Sequence, residues 1–191
     1  MKIVYSVLFL LMLVLGLLNH FSLIDSNFFV SLSYERNGIY KHEYWRLLSG
    51  HFVHLNLTHT LMNLGALILL MIMFWKNMAY KTDVSTLLFS IIGIDIGIYF
   101  FNPELISYVG FSGALHGLFL YYFLKTLPQN KLSSIIALSL MIAKILWEQS
   151  PWGDTSETAK LIGGSVATMA HLSGGICGLI AGLVYLFLQK K

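Results

Sequence analysis

The chain has 191 residues, 57% of them hydrophobic and 11% charged, with a formal net charge of +3. A soluble domain carries about 25% charged residues, so the composition excludes an ordinary water-soluble enzyme. The small positive excess reads as membrane topology once its placement is followed, and it excludes a nucleic-acid footprint.

Apolar runs recur in chain order at Ile3–Leu18, Leu57–Trp75, Val84–Phe101, Phe111–Leu127, Leu132–Trp147 and Gly163–Leu188. With flanking aromatics each approaches or exceeds the roughly 17–25 residues that span a bilayer. The first and fifth are the shortest, and their limits are the least defined. The runs are apolar on every face, which is the helical case; a strand-built membrane protein needs polar–apolar alternation and a closed barrel. The expectation is an all-α polytopic membrane protein, a six-transmembrane-helix bundle forming one membrane domain over 1–191. Lys2 precedes the first run as in a signal peptide. However, Leu18 is followed by Asn19-His20-Phe21-Ser22 with no small-x-small cleavage site, so the run reads as an uncleaved anchor. The lone Cys177 lies in the sixth run and cannot form an intrachain disulfide.

Charge sets the orientation. With the N-terminus inside, the inner loops and ends hold Lys2, Lys76, Lys81, Lys125, Lys131, Lys190 and Lys191 against Asp83. The outer loops hold Arg36, Lys41, Arg46 and Lys160 against Asp25, Glu35, Glu43, Glu104, Asp154 and Glu157. This is the positive-inside pattern. Trp45, Trp75, Trp147 and Trp152 fall at segment ends, as interfacial anchors do.

Polar side chains inside hydrocarbon call for an explanation. Segments two, four and six all run from outside to inside. His59 and Asn63 lie in the first turns of segment two, Ser112 opens segment four, and His171 lies about two turns into segment six. All four therefore share one depth, in the outer third of the membrane. A serine hydroxyl is a poor nucleophile until a base takes its proton, and histidine is suited to that near neutral pH. His59 and Asn63 are i and i+4, so one helix face presents an imidazole and a carboxamide able to donate to an oxyanion. Gly174, Gly178 and Gly182 share the face of His171, while Gly113 and Gly117 repeat at four beside Ser112. Such small-residue spacing lets two membrane helices approach closely.

Other residues leave alternatives open. His116, at i+4 from Ser112, is a substrate contact, a tuning residue, a competing base, or a histidine hydrogen-bonded to a neighbouring helix. Lys144 and Glu148, near the outer end of segment five, form an interfacial ion pair or hold a substrate segment. Asp95, in mid-segment three, is expected to be neutral or paired. His51, His54, His59, His116 and His171 also admit a metal- or haem-binding membrane protein. No His-Glu-x-x-His helix is present. Nor is any acidic or thiolate partner expected near these five, so no metal and no other cofactor is expected. Gly110-Phe111-Ser112-Gly113 is no hydrolase elbow, since Ala114 takes the fifth position and no strand precedes it.

The chain resembles the rhomboid family of intramembrane serine proteases. The resemblance rests on Trp45-Arg46 in the first outer loop, His59-x-x-x-Asn63, Gly110-Phe111-Ser112-Gly113, and Ala170-His171-x-x-Gly174-x-x-x-Gly178. It implies that Ser112 is the nucleophile and His171 its base, with no acidic third member. It also implies an oxyanion hole formed by His59, Asn63 and the Ser112 N–H. The closer likeness is to the rhombosortase branch, through Ser112-Gly113-Ala114-Leu115-His116-Gly117, Lys144-Ile145-Leu146-Trp147-Glu148-Gln149 and the small size. That branch implies substrates with a C-terminal glycine-rich stretch, a transmembrane helix and a basic tail. It further implies an inner bacterial membrane with both termini cytoplasmic and the site facing the periplasm. An inactive rhomboid-like protein that binds transmembrane helices is the rival within the family.

Overall fold

The computed structural model describes residues 3–189. Lys2, Lys190 and Lys191, which enter the charge argument, lie outside the described residues. Ten helices follow in chain order among the described residues: α1 (Ile3–His20), α2 (Ser26–Leu32), α3 (Arg36–Tyr40), α4 (Arg46–Ser49), α5 (Leu57–Phe74), α6 (Tyr80–Phe101), α7 (Ser112–Thr126), α8 (Lys131–Gln149), α9 (Ser156–Ile162) and α10 (Thr168–Gln189). A two-residue strand, β1 (Tyr34–Glu35), pairs antiparallel with β2 (Ser107–Tyr108).

The result is an all-α polytopic membrane bundle, with two corrections to the expected spans. Five helices are long and apolar enough to cross a membrane: α1, α5, α6, α8 and α10. The expected fourth span, α7, has only 15 residues. At 1.5 Å per residue it reaches about 22 Å, short of the roughly 30 Å hydrocarbon layer. The reason is visible in its burial: every residue from Gly113 to Thr126 is buried. A helix wrapped by protein need not match the lipid, because protein satisfies the backbone at its ends. The second correction concerns the sixth run. It starts too early: Gly163, at φ +78°, is the left-handed C-cap of α9, residues 163–167 are not helical, and α10 starts only at Thr168. His171 therefore lies in the first turn of α10 and not two turns in.

Glycines let α7 and α10 meet backbone to backbone. A Cβ on Gly113 would stand 2.8 Å from the Ala170 carbonyl oxygen, and one on Gly117 2.7 Å from that of Gly174. A Cβ on Gly174 or Gly178 would run into the carbonyls of Gly113 or Gly117. On another side of α10, Gly93 and Gly97 of α6 receive Cys177 and Ser173. Asp95 of α6 is paired, its Oδ1 lying 3.3 Å from His51 Nε2.

Candidate active site

The N-terminal ends of α5, α7 and α10 converge. Asn56 caps α5, its Oδ1 accepting from the His59 N–H at 2.8 Å, and its Nδ2 donates to the Leu161 carbonyl at 3.1 Å. The chain enters α7 through Gly110, whose φ of +120° favours glycine. A Cβ there would lie 2.8 Å from the His59 ring, so Gly110 is also what allows His59 this close. The Gly110 N–H donates to the Gly50 carbonyl at 3.0 Å, and its own carbonyl accepts from Tyr108 Oη at 2.6 Å. Phe111 is fully buried and stacks on Phe52. The backbone before Ser112 is thus fixed on both sides.

Ser112 Oγ lies 2.8 Å from His171 Nε2. His171 Nδ1 lies 2.9 Å from Glu148 Oε2, and Glu148 Oε1 lies 2.7 Å from Lys144 Nζ. Lys144 Nζ reaches His116 Nε2 at 2.6 Å, and His116 Nδ1 reaches the Ser112 carbonyl at 2.7 Å. The His116 and His171 rings stack with centroids 4.1 Å apart. Two contacts bring α8 onto α10: Ile145 fills the space left by Gly175, and Gln149 Nε2 donates to the Thr168 carbonyl at 3.0 Å.

A cavity of about 330 Å³ opens beside these groups. It is lined by Ser112, His171, His59, Asn63, His116, Lys144 and Glu148, with Met62, Ala66, Phe119 and Met141 on its apolar side. A second cavity of about 200 Å³ shares Ser112, His59 and His171 and continues toward Ser107, Tyr108 and Gly164. Ser112 thus stands between an apolar opening between α5 and α8 and a more polar one under the loops. His59 Nδ1 is buried with no hydrogen-bond partner. Asn63 Nδ2 donates to the His59 carbonyl at 3.0 Å, leaving its second amide hydrogen available. Ser112 is the first residue of α7, so its N–H is one of the four without an intrahelical acceptor. The three residues His59, Asn63 and Ser112 therefore border one cavity. In the preceding loop His54 meets His59 edge-on at 4.9 Å. Burial, then the His59 charge, pushes the His54 imidazole down to about 3, so it is neutral near pH 7.

Not every expected residue arrives. Trp45 and Arg46 line neither cavity. The donors of Arg46 go to Glu43 Oε2 at 2.6 Å and to the Val30 and Ser33 carbonyls at 2.7 and 2.9 Å, while Trp45 Nε1 donates to the Ser31 carbonyl at 3.0 Å. They tie the outer loop together. In the same loop Glu35 caps α3. Burial acts to raise its carboxyl, but the Asn37 and Gly38 N–H groups outweigh that and hold it below the usual carboxylate range. His116 faces the Ser112 carbonyl, so it is not placed as a rival base.

The expectation that no acid stands near the histidines is also corrected. His116, Glu148 and His171 offer donor atoms within 4.8 Å of one another, the one metal-like constellation among the described residues. The Lys144 ammonium already binds two of them and supplies positive charge there. The sequence signal for Glu148 was available: an acid in the last turn of a helix sits against the macrodipole. Lys before Glu at i, i+4 is also the weaker order. Local helix stability does not explain Glu148.

The fold and site define an integral membrane protein whose partly buried serine and buried histidine share a hydrogen bond beside a cavity. Residues 41–188 match the Rhomboid domain, and the chain belongs to the rhomboid family, which is made of intramembrane serine proteases acting on transmembrane substrates. No curated protein matches the chain.

Proposed function

We propose that this rhomboid is an active serine endopeptidase of the rhombosortase type. Ser112 is the nucleophile, His171 the base, and His59, Asn63 and the Ser112 N–H the oxyanion donors. The observation that carries this reading is the 2.8 Å Ser112 Oγ–His171 Nε2 hydrogen bond on a cavity that also holds His59 and Asn63. As Ser112 Oγ bonds to the scissile carbonyl carbon, its proton passes to His171 Nε2. The carbonyl π pair moves to oxygen, which the three donors receive. Collapse breaks the C–N bond, and the Nε2 proton goes to the leaving amine. An acyl-enzyme remains, to be released by water or another acceptor.

The substrate is a single-span anchor with a glycine-rich segment before its helix and a basic tail after it. A tail of that charge puts the substrate's C-terminus on the inner side, matching the positive-inside orientation of this chain. The inner bacterial membrane, cytoplasmic termini and periplasm-facing site belong to the same proposal. The Lys144–His116 hydrogen bond supports the branch assignment, because it joins the two sequence runs on which that likeness rests.

The test is covalent. A fluorophosphonate should label the wild-type protein in micelles at Ser112, located by peptide mass spectrometry, and should not label Ser112→Ala. Wild-type protein that neither labels nor cleaves a single-span reporter would return the chain to the helix-binding, non-proteolytic class.

A further inference from the structure

We propose that Glu148 is an acidic third member of this site, a positioning residue that holds His171 for proton transfer and is itself held by Lys144. The inference rests on the protease reading above, and it replaces the expected dyad with Ser112–His171–Glu148.

The hydrogen-bond network assigns the tautomers. For His171 Nε2 to accept from Ser112 Oγ at 2.8 Å, the one proton of the neutral ring must be on Nδ1. Nδ1 then donates to Glu148 Oε2 at 2.9 Å. The Lys144 Nζ, 3.3 Å from the same Nδ1, is a close neighbour and not a donor to it. Its protons go to Glu148 Oε1 at 2.7 Å and to His116 Nε2 at 2.6 Å. His116 therefore carries its proton on Nδ1 and gives it to the Ser112 carbonyl at 2.7 Å. Each of these polar atoms has one role and no assignment conflicts with another.

Charge balance supports the same arrangement. Before attack, Lys144 and Glu148 sum to zero. After proton transfer, the imidazolium and the oxyanion add one charge of each sign, so the site stays neutral. In a low-dielectric site an uncompensated charge is expensive. Without Glu148, the imidazolium would form beside the Lys144 ammonium with no adjacent anion. The carboxylate is anchored at both oxygens and its side chain is only 9% exposed, so it arrives already oriented. A surface ion pair with no further task would leave one oxygen to water. It would also be no more probable at this unfavourable helix end than elsewhere.

The test is Glu148→Gln, read by cleavage kinetics on a single-span reporter with glycines before its span and lysines after it, and by the rate of fluorophosphonate labelling. The glutamine keeps an oxygen for Lys144 but turns an N–H₂ toward His171. That pushes the ring proton to Nε2, where it blocks acceptance from Ser112. The expected result is a fall in kcat of about 10²–10⁴, by analogy with the wrong-tautomer effect in the soluble triad. KM should stay unchanged, and labelling should slow in parallel, since the small probe needs no docking. Wild-type kcat, or a loss confined to KM, would overturn the inference and assign Glu148 to substrate docking.

Should Glu148→Gln fail to fold, Lys144→Met gives a second reading. Freeing one carboxylate oxygen removes one charge-assisted hydrogen bond and should lower kcat about tenfold at constant KM. A change in KM alone would again overturn the positioning role. Wild-type protein inert to both probes would take down the protease reading and this inference together. Active wild type, dead Ser112→Ala and unaffected Glu148→Gln would remove only the third member.

Discussion

Charged side chains gather at both ends of α7, buried at the far end and only partly buried at the near end, and they differ in what the charge is for. At the far end, Lys125 lies 3.8 Å from Asp83 Oδ1 and over the rings of Tyr121, Tyr122 and Tyr185 at 5.1–5.4 Å. Tyr5 Oη meets Tyr122 Oη at 3.1 Å, tying α1 to α7. Each charge there suits its helix. Asp83 is in the first turn of α6, where Oδ2 accepts from the Ala79 N–H at 2.8 Å, and Lys125 is in the last turn of α7. The macrodipole favours both. At the near end, Glu148 sits in the last turn of α8, against the dipole, with its partners turned toward a cavity. A buried charge in a membrane protein is therefore not evidence of chemistry by itself. The informative case is a charge that the local helix does not favour, bonded to a histidine that is bonded to a serine.

The sharpest way to break this contrast is at the near end. Ser112→Ala should abolish cleavage of a single-span reporter while expression and insertion stay normal, because one oxygen is lost. His171→Ala should match it, since residues acting as a unit do not lose activity additively. His116→Ala should retain activity reduced about tenfold, the worth of one hydrogen bond to the Ser112 carbonyl. A dead His116→Ala beside an active His171→Ala would reverse the choice of base.

Next come the proposed oxyanion donors. His59→Ala and Asn63→Ala should each lower kcat by about 10²–10³ with KM nearly constant, because the oxyanion exists only along the reaction path. An unchanged kcat with raised KM would make α5 a docking surface.

How far the sequence could lead differs between the two ends. Ser112, His171, His59 and Asn63 could be placed at one depth because helical spacing and loop charge are local, countable properties. The α7–α10 contact was foreshadowed by glycines at four-residue spacing for the same reason. Glu148 was not tied to His171 because their proximity depends on how α8 leans on α10, through Ile145 in the space of Gly175, and no period in either segment encodes that lean. The α2–α4 loop, the β1–β2 pair and α9 were missed because a hydropathy reading treats everything between spans as connection. The true start of α10 at Thr168 was hidden because the small residues from Gly163 to Ala167 carry no charge and read as part of the apolar run that follows.

At the far end, Lys125→Met should act on stability and not on chemistry. It leaves Asp83 buried without its cation, and breaking a buried pair costs about 3–5 kcal/mol. Unfolding in micelles should register that loss. The kcat per fluorophosphonate-titrated site should stay within about twofold of wild type, since Ser112 is about 20 Å of helix away and distant sites behave independently. A tenfold fall in kcat with unchanged stability would merge the two ends into one functional network.

The smallest effect concerns what the near end acts on. A helix resists proteolysis because its amides are hydrogen-bonded along the axis and wrapped by side chains. The scissile segment must therefore unwind before its carbonyl can reach Ser112. Glycine is about 1 kcal/mol worse than alanine in a helix interior, so each glycine lowers the unwinding cost by about that much. Replacing one glycine of the reporter's juxtamembrane segment with alanine should thus slow cleavage about fivefold, and two should slow it by about 30-fold if the sites are independent. Leucine should be slower still if its side chain crowds the second, smaller cavity beside Ser112. Mass spectrometry should place the new C-terminus of the released product within those glycines. A cut in mid-span, or on the side of Lys125 and Asp83, would break the contrast between the ends of α7, because the reacting carbonyl would then lie at the end that holds no serine–histidine pair.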